Sequence, residues 1–285
     1  MPDEHELHSY YRDSYRVELG KGRRPTKKRL WRIASLGVER ALDLIPRLSM
    51  PCCAVDAGCG AGELVYMLAA TGCASRGFDP DSSHIQWARS HLGLKVEACG
   101  IKDVEIAPGT MDLVTTYHVL EHLPDPCAAL GICANWLKED GLLIVEIPNI
   151  ESILQAPGHR YQKGHLHYFN RVTLEAVASR SGLRAVEIGE FGENLRGYFR
   201  KDSRAQPMQV PSDNAERIID ILERHKWWTH YASAVPYHRS WGRFSRTLAE
   251  AVHTCFRDEA AILRYHAARL PQLVRESPMS NPPKG

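Results

Sequence analysis

The stretch Val55-Asp56-Ala57-Gly58-Cys59-Gly60-Ala61-Gly62 lies where a short apolar run, Cys52 to Asp56, gives way to a helical pattern. Glycines at alternate positions let the backbone turn sharply and let a ligand lie directly on the main chain, while the N-terminus of the following helix favours a negative group. The dinucleotide fingerprint is G-x-G-x-x-G. Here the third glycine comes one residue early, and Glu63 stands in the later place, where a carboxylate would be poorly placed beside a pyrophosphate. Further on, in Gly77-Phe78-Asp79-Pro80-Asp81, a second strand ends in an acid, and a carboxylate there can accept both hydroxyls of a ribose. Strand, glycine loop, helix, strand and terminal Asp79 together describe a unit that binds a nucleoside.

From about 50 to 200, short apolar runs alternate with helical patterns. The strand candidates are Cys52 to Asp56, Ala74 to Asp79, Val96 to Ala98, Met111 to Thr116, Leu142 to Ile147 and Arg184 to Ile188, and helical stretches follow Gly62, Ser82, Asp125 and Asn170. This alternation predicts a parallel sheet covered on both faces, a doubly wound α/β domain over 50–200. Asp125 and Pro126 read as N-cap and first helical residue, and Gly141 as the stop after Leu137.

On the N-terminal side, Leu30, Ile33, Ala34, Val38, Ala41, Leu42 and Ile45 recur at helical spacing until Pro46, so residues 1–49 read as an arm followed by one amphipathic helix. The arm carries Tyr10, Tyr11 and Tyr15, then a basic run through Arg16, Lys21, Arg23, Arg24, Lys27, Lys28 and Arg29, and is expected to be solvated. On the C-terminal side, Pro207 and Pro211 mark a linker, and 201–275 reads as a helical segment rich in aromatic and basic residues, among them Trp227, Trp228, Tyr231, Tyr237, His238, Trp241, Phe244 and Tyr265. These aromatics are expected to dock on the core or on a second subunit, which leaves a homodimer through the C-terminal helices open; a cap lining the substrate is the other use. The tail at 276–285, with Pro278, Pro282 and Pro283, is expected to be disordered.

Bulk composition narrows the classes. The 285 residues are 44% hydrophobic and 25% charged, as in soluble globular proteins, and a net charge of +2 gives no general reason to expect nucleic acid or membrane as a partner. No apolar run is long enough to span a membrane, and the first thirty residues lack the apolar core of a signal peptide. The eight cysteines, Cys52, Cys53, Cys59, Cys73, Cys99, Cys127, Cys133 and Cys255, show no C-x-x-C pair and no zinc-ligand spacing, and most read as small core residues in a reducing cytoplasm.

With the glycine loop and Gly77-Phe78-Asp79-Pro80 go two later stretches, His118-Val119-Leu120-Glu121-His122-Leu123-Pro124-Asp125-Pro126 and Gly141-Leu142-Leu143-Ile144-Val145-Glu146-Ile147-Pro148-Asn149. A further one, Gly164-His165-Leu166-His167-Tyr168-Phe169-Asn170, leads into a helix. In this ordered set the sequence resembles the class I S-adenosylmethionine-dependent methyltransferases, in particular the small-molecule group with an E-H-L-x-D-P segment, over about residues 50 to 195. The resemblance implies a Rossmann-like sheet of seven strands, one of them antiparallel, for which Leu195 to Phe199 is the candidate. It implies S-adenosylmethionine as cofactor, its methionine end at Asp56, Gly58, Cys59 and Gly60, its ribose at Asp79 and Pro80, its adenine at Gly100 and Ile101, and Tyr117 and His118 facing the methyl group.

A methyl group on a sulfonium is already activated, so the enzyme's tasks are to align a nucleophile and exclude water. A base is needed only for an acceptor that must lose a proton, as an alcohol does. His118, His122, His165 and His167 are the candidates, since imidazole titrates near neutral pH, and of these His118, His165 and His167 are preferred. His118 stands at a strand's carboxyl end, where open α/β sheets bind ligands, and the alternation of His165 and His167 would aim both the same way in an extended loop. Adjacent Glu121 and His122 seldom converge on one ion without help from elsewhere, so Glu121 is expected to meet backbone donors and no metal is expected. Tyr10, Tyr11 and Tyr15 suit a lid over the cofactor, and Arg23 and Arg24 suit an acceptor anion. The expected function is methyl transfer to an oxygen of a small-molecule or sugar-type acceptor. A nicotinamide-dependent oxidoreductase on a related fold and a non-catalytic cofactor-binding partner protein remain as alternatives.

Overall fold

The computed structural model describes residues 25–202, 204, 206–237, 247, 250–255 and 257–276. Seven strands form one sheet, β1 (Cys53–Ala57), β2 (Ala74–Phe78), β3 (Val96–Glu97), β4 (Met111–Tyr117), β5 (Leu137–Pro148), β6 (Leu183–Phe191) and β7 (Asn194–Lys201), in the order β3-β2-β1-β4-β5-β7-β6. β1 pairs with β2 and β2 with β3 in parallel, whereas β7 is antiparallel to both β5 and β6. The antiparallel strand assigned to Leu195–Phe199 is therefore present and extends one residue before it and two beyond it. Helices α1 (Lys27–Leu44), α2 (Glu63–Ala70), α3 (Ser82–Leu92), α4 (Pro126–Trp136), α5 (Arg171–Arg180), α6 (Asn214–Arg224), α7 (Trp227–Tyr231) and α8 (Glu259–Glu276) complete a Rossmann-like α/β architecture. Among the described residues, no helix is long and apolar enough to cross a membrane.

Compactness divides the chain into two units, residues 1–114 with 248–285, and residues 115–247. In the first unit β1 is buried along Ala54 to Ala57, as a central parallel strand covered on both faces must be. α1 starts at an N-cap, where the Thr26 hydroxyl accepts from the Arg29 N–H, and passes into a 3-10 turn at Ile45–Arg47, so Pro46 does close the helical pattern. Its partner is the C-terminal segment. Trp31 stacks on His253 and Tyr265 with ring centroids 4.5 and 5.5 Å apart, and Arg32 holds Glu250 through two bonds of 2.8 and 2.7 Å. Ile262, Leu263 and Leu270 of α8 are fully buried, each contributing about 1.5–3 kcal/mol. Docking of C-terminal aromatics on the core thus holds for Tyr265.

In the second unit, Asp125 accepts from the Ala128 N–H at 2.9 Å with Pro126 opening α4, and Asn170 with Thr173 forms a capping box on α5. Trp227, Trp228, Tyr231 and Tyr237 are exposed, unlike Tyr265, while His238, Trp241 and Phe244 lie outside the described residues. So do the arm with Tyr10, Tyr11, Tyr15, Arg23 and Arg24, and the tail from 277. Gly141 does not stop α4, which ends at Trp136; Leu137 is already extended (φ −66°, ψ 141°) and begins β5 directly. The early part of that strand is held by β7, whose Lys201 ammonium donates to the Leu137 carbonyl and Arg200 to that of Asp140. The third strand is also shorter than Val96 to Ala98, ending at Glu97.

Candidate active site

The glycine loop occupies the carboxyl end of β1. Gly58, Gly60 and Gly62 have φ of 77°, 58° and 77°, a backbone region that costs a residue with a Cβ roughly 1–2 kcal/mol. At Gly62 a Cβ would also lie 2.6 Å from Leu94 Cδ1. The loop is tied to the end of β2, where the Phe78 carbonyl accepts from the N–H groups of Gly58 and Cys59 at 2.8 and 3.0 Å. Gly77, one residue earlier, has no room for a side chain either, since a Cβ would sit 2.8 Å from that of Cys59. Asp79 then closes the arrangement. It is buried, and its two oxygens accept from the Gly60 N–H and the Asp81 N–H, both at 2.9 Å.

Of the other residues assigned to the cofactor in this unit, Asp56 and Cys59 are buried and Pro80, Gly100 and Ile101 half-buried. Gly100 begins a turn in which its carbonyl accepts from the Asp103 N–H at 3.1 Å. Tyr117 belongs to the second unit and is buried at the end of β4.

Within that second unit His118 follows Tyr117. It takes φ +57°, the single described residue other than glycine with positive φ, and its N–H is held by the Glu146 carbonyl at 2.8 Å. Backbone strain of this kind persists only where its surroundings enforce it. The imidazole lies between two carboxylates, with Nδ1 3.3 Å from Glu121 and Nε2 3.5 Å from Glu146. Burial pulls its pKa down, but the hydrogen bonds and charges of Glu121 and Glu146 outweigh this and raise it to about 9. Glu146 is in turn gripped by Arg196 at 2.7 and 2.6 Å, with both side chains almost wholly buried. The Arg196 guanidinium lies over the Phe191 ring, 4.1 Å from its centroid, and 5.7 Å from that of Tyr117.

Glu121 departs from its expected role. Its peptide oxygen, not its carboxylate, meets the backbone donors Leu166 and His167, at 2.9 and 3.2 Å. The carboxylate is buried without a well-directed hydrogen bond, near His118 and 4.0 Å from His122. Burial alone would raise its pKa; the neighbouring His118 and His122 bring it below the ordinary carboxylate value. His122 places Nδ1 2.8 Å from the Gly164 carbonyl, so that nitrogen carries a proton and donates. The ring of His165 packs edge-on to it, centroids 4.8 Å apart. Burial and the neighbouring His122 hold His165 neutral, its pKa lowered to about 4, and its Nδ1 is buried with no partner.

His165 and His167 therefore do not aim alike. The segment turns, with the His165 N–H on the Gln162 carbonyl; His165 joins Glu121 and His122 while His167 faces the Pro124 carbonyl at 3.3 Å. Glu121, His122 and His165 bring ligand atoms within 4.8 Å of one another, so His165 is the help from elsewhere that the adjacent pair needed to hold a cation. Sequence reasoning passed over Glu146 and Arg196. A lone glutamate in the apolar run Leu142 to Ile147 was the available signal, and β5–β7 register sets it opposite Arg196.

Residues 27–188 match a family described as methyltransferase domain. The chain is 34% identical over 103 residues to a protein named ubiquinone biosynthesis O-methyltransferase from Neisseria meningitidis serogroup C, a match that covers 33% of this chain and 43% of that protein. The chain thus spans less than half the length of that relative. A protein of the same name from Xanthomonas euvesicatoria pv. vesicatoria is 30% identical over 170 residues, 53% of this chain and 71% of its own. A crystal structure of a SAM dependent methyltransferase from Archaeoglobus fulgidus superposes with a TM-score of 0.53 at 18% identity, covering 66% of this chain and all of the other. That likeness is one of fold.

Proposed function

Because the chain belongs to the methyltransferase domain family, we propose that it transfers the methyl group of S-adenosylmethionine to a hydroxyl oxygen of a small-molecule acceptor. The observation that carries this reading is the glycine loop fastened to Asp79, which fits a nucleoside carrying an amino-acid tail. The loop at Gly58 and Gly60, with Asp56 and Cys59 beside it, is assigned to the methionine end. Asp79 and Pro80 are assigned to the ribose, Gly100 and Ile101 to the adenine, and Tyr117 to the neighbourhood of the methyl group. The sulfonium of the bound cofactor supplies the activated methyl. The chain's own task is to orient the acceptor and take its proton, which we assign to the imidazole of His118, with Glu121, Glu146 and Arg196 behind it. Acceptor chemistry on oxygen agrees with the names of the Neisseria and Xanthomonas relatives. The family match gives no support to a nicotinamide-dependent oxidoreductase.

Asp79 tests the cofactor assignment. In Asp79→Ala, loss of a charge-assisted contact to ribose should weaken S-adenosylmethionine binding by about 1.5–3 kcal/mol, roughly ten- to a hundredfold, read by calorimetric titration of protein whose fold is checked by circular dichroism. Unchanged affinity would place the ribose elsewhere.

The Glu121, His122 and His165 grouping favours a second form of the same reading, in which a divalent cation aids loss of the acceptor's proton. One carboxylate and two imidazoles suit a borderline divalent ion, which would supply positive charge to a hydroxyl oxygen. Turnover that falls on chelation and returns with a divalent metal supports this form. Full turnover in excess chelator leaves proton removal to His118 alone.

A further inference from the structure

We infer that Arg160, backed by His225 and His230, forms a binding site for the carboxylate of a small organic acid. Arg160 follows a 3-10 turn at Pro157–His159, and all three side chains belong to buried residues of the second unit. One guanidinium nitrogen, Nη2, donates to the Ser152 carbonyl at 3.0 Å and to Nδ1 of His225 at 2.7 Å. A guanidinium has no lone pair to offer, so His225 Nδ1 is the acceptor and its proton sits on Nε2. That proton is then donated to Nδ1 of His230, 3.1 Å away, and the proton of His230 is left on its own Nε2. Burial, with the charge of Arg160 and the neighbouring His230, keeps His225 below its ordinary pKa and so neutral. The three groups form a chain of donors carrying one positive charge.

Among the described residues no carboxylate pairs with this charge, and burial acts to lower the pKa of Arg160 itself. Its Nε is buried and has no hydrogen-bond partner. A buried cation without a counter-ion is costly, and proteins retain one where something else supplies the opposite charge. A monocarboxylate brings one negative charge to the guanidinium, whereas a phosphate dianion exceeds the charge available. The surroundings suit an organic body on that carboxylate. Gly158 lets the turn lie against Trp227, since a Cβ there would be 2.7 Å from the ring. Trp227 and Tyr231 stack nearly parallel at 5.9 Å, and both, with Tyr161, are exposed.

The test uses the full chain without S-adenosylmethionine, so that its failure leaves the methyl-transfer reading untouched. Sodium benzoate, sodium phosphate and sodium chloride are compared at equal ionic strength by calorimetric titration and by the Nε–H spectrum of 15N-arginine-labelled protein. Benzoate is expected to bind, to shift one arginine Nε–H resonance, and to bind at least about tenfold more weakly to Arg160→Met, with phosphate and chloride leaving that resonance in place. Should Arg160→Met fail to fold, the resonance shift in the wild-type chain and its loss in His225→Phe decide. No benzoate binding, phosphate binding as tight as benzoate, or benzoate binding that these substitutions do not weaken would each overturn the assignment.

Discussion

Replacing His118 with Asn is expected to lower kcat by about 10²- to 10⁴-fold, with the affinity for S-adenosylmethionine close to that of the wild type. Turnover is read on a hydroxylated acceptor found by screening for release of S-adenosylhomocysteine. Asn is the suitable replacement because it tolerates the left-handed backbone at this position, so the strand end keeps its shape while the base is lost. The pH profile gives an independent readout. His118 accepts a proton only when neutral, and Glu121 and Glu146 raise its pKa to about 9 against the opposing effect of burial. The wild-type kcat should therefore climb through the neutral range and level off near that value. The same shift makes a stability signature of opposite direction. A histidine whose folded pKa lies above its unfolded one contributes stability that is fully present below the unfolded value and is lost as pH rises through the folded one. The wild type should lose stability relative to His118→Asn as pH rises toward about 9. A flat rate profile with undiminished turnover in His118→Asn would remove His118 from the chemistry.

The second large effect concerns what holds that histidine. Arg196→Met should destabilise the protein by about 3–5 kcal/mol, the usual consequence of leaving one member of a buried ion pair without its partner, measured by urea unfolding. The guanidinium grips Glu146 at 2.6 and 2.7 Å with both groups out of solvent, and an isolated carboxylate in their place is poorly solvated. Combining Arg196→Met with Glu146→Leu should recover much of the loss, because burying two apolar groups avoids the desolvation cost that one orphaned charge retains. A loss below about 1 kcal/mol in the single variant, typical of a solvated pair, would show that water reaches Glu146.

The fold and the site are unequally visible in the sequence. The glycine loop and Asp79 were legible because a tight strand-to-helix turn needs glycines at fixed offsets and the acid closes the next strand in parallel register, all within a short span. The strands of the central sheet were legible for a related reason, since burial on both faces writes them as apolar runs such as Leu142 to Val145. Gly141 misled because a glycine after a helical pattern usually ends it, whereas here the chain passes straight from Trp136 into a long strand held by Arg200 and Lys201. The acceptor-side residues were the least legible. Glu146 and Arg196 are 50 positions apart and His122 meets Gly164 across 42. Such pairs are fixed by strand register and loop docking, which no local spacing encodes. His165 and His167 illustrate the same limit: alternation implies a shared direction only in an extended chain, and this segment turns.

The central claim, that the glycine loop and Asp79 hold S-adenosylmethionine, is tested most directly by thermal unfolding of the chain with S-adenosylmethionine, S-adenosylhomocysteine and NADH, each at about a hundred times its dissociation constant. A ligand bound only by the folded state then adds about 2.7 kcal/mol, a rise in Tm of roughly 5–10 °C for a chain of this size. The account predicts that rise with both adenosyl compounds and none with NADH. A rise with NADH alone would contradict it and return the loop to the dinucleotide class.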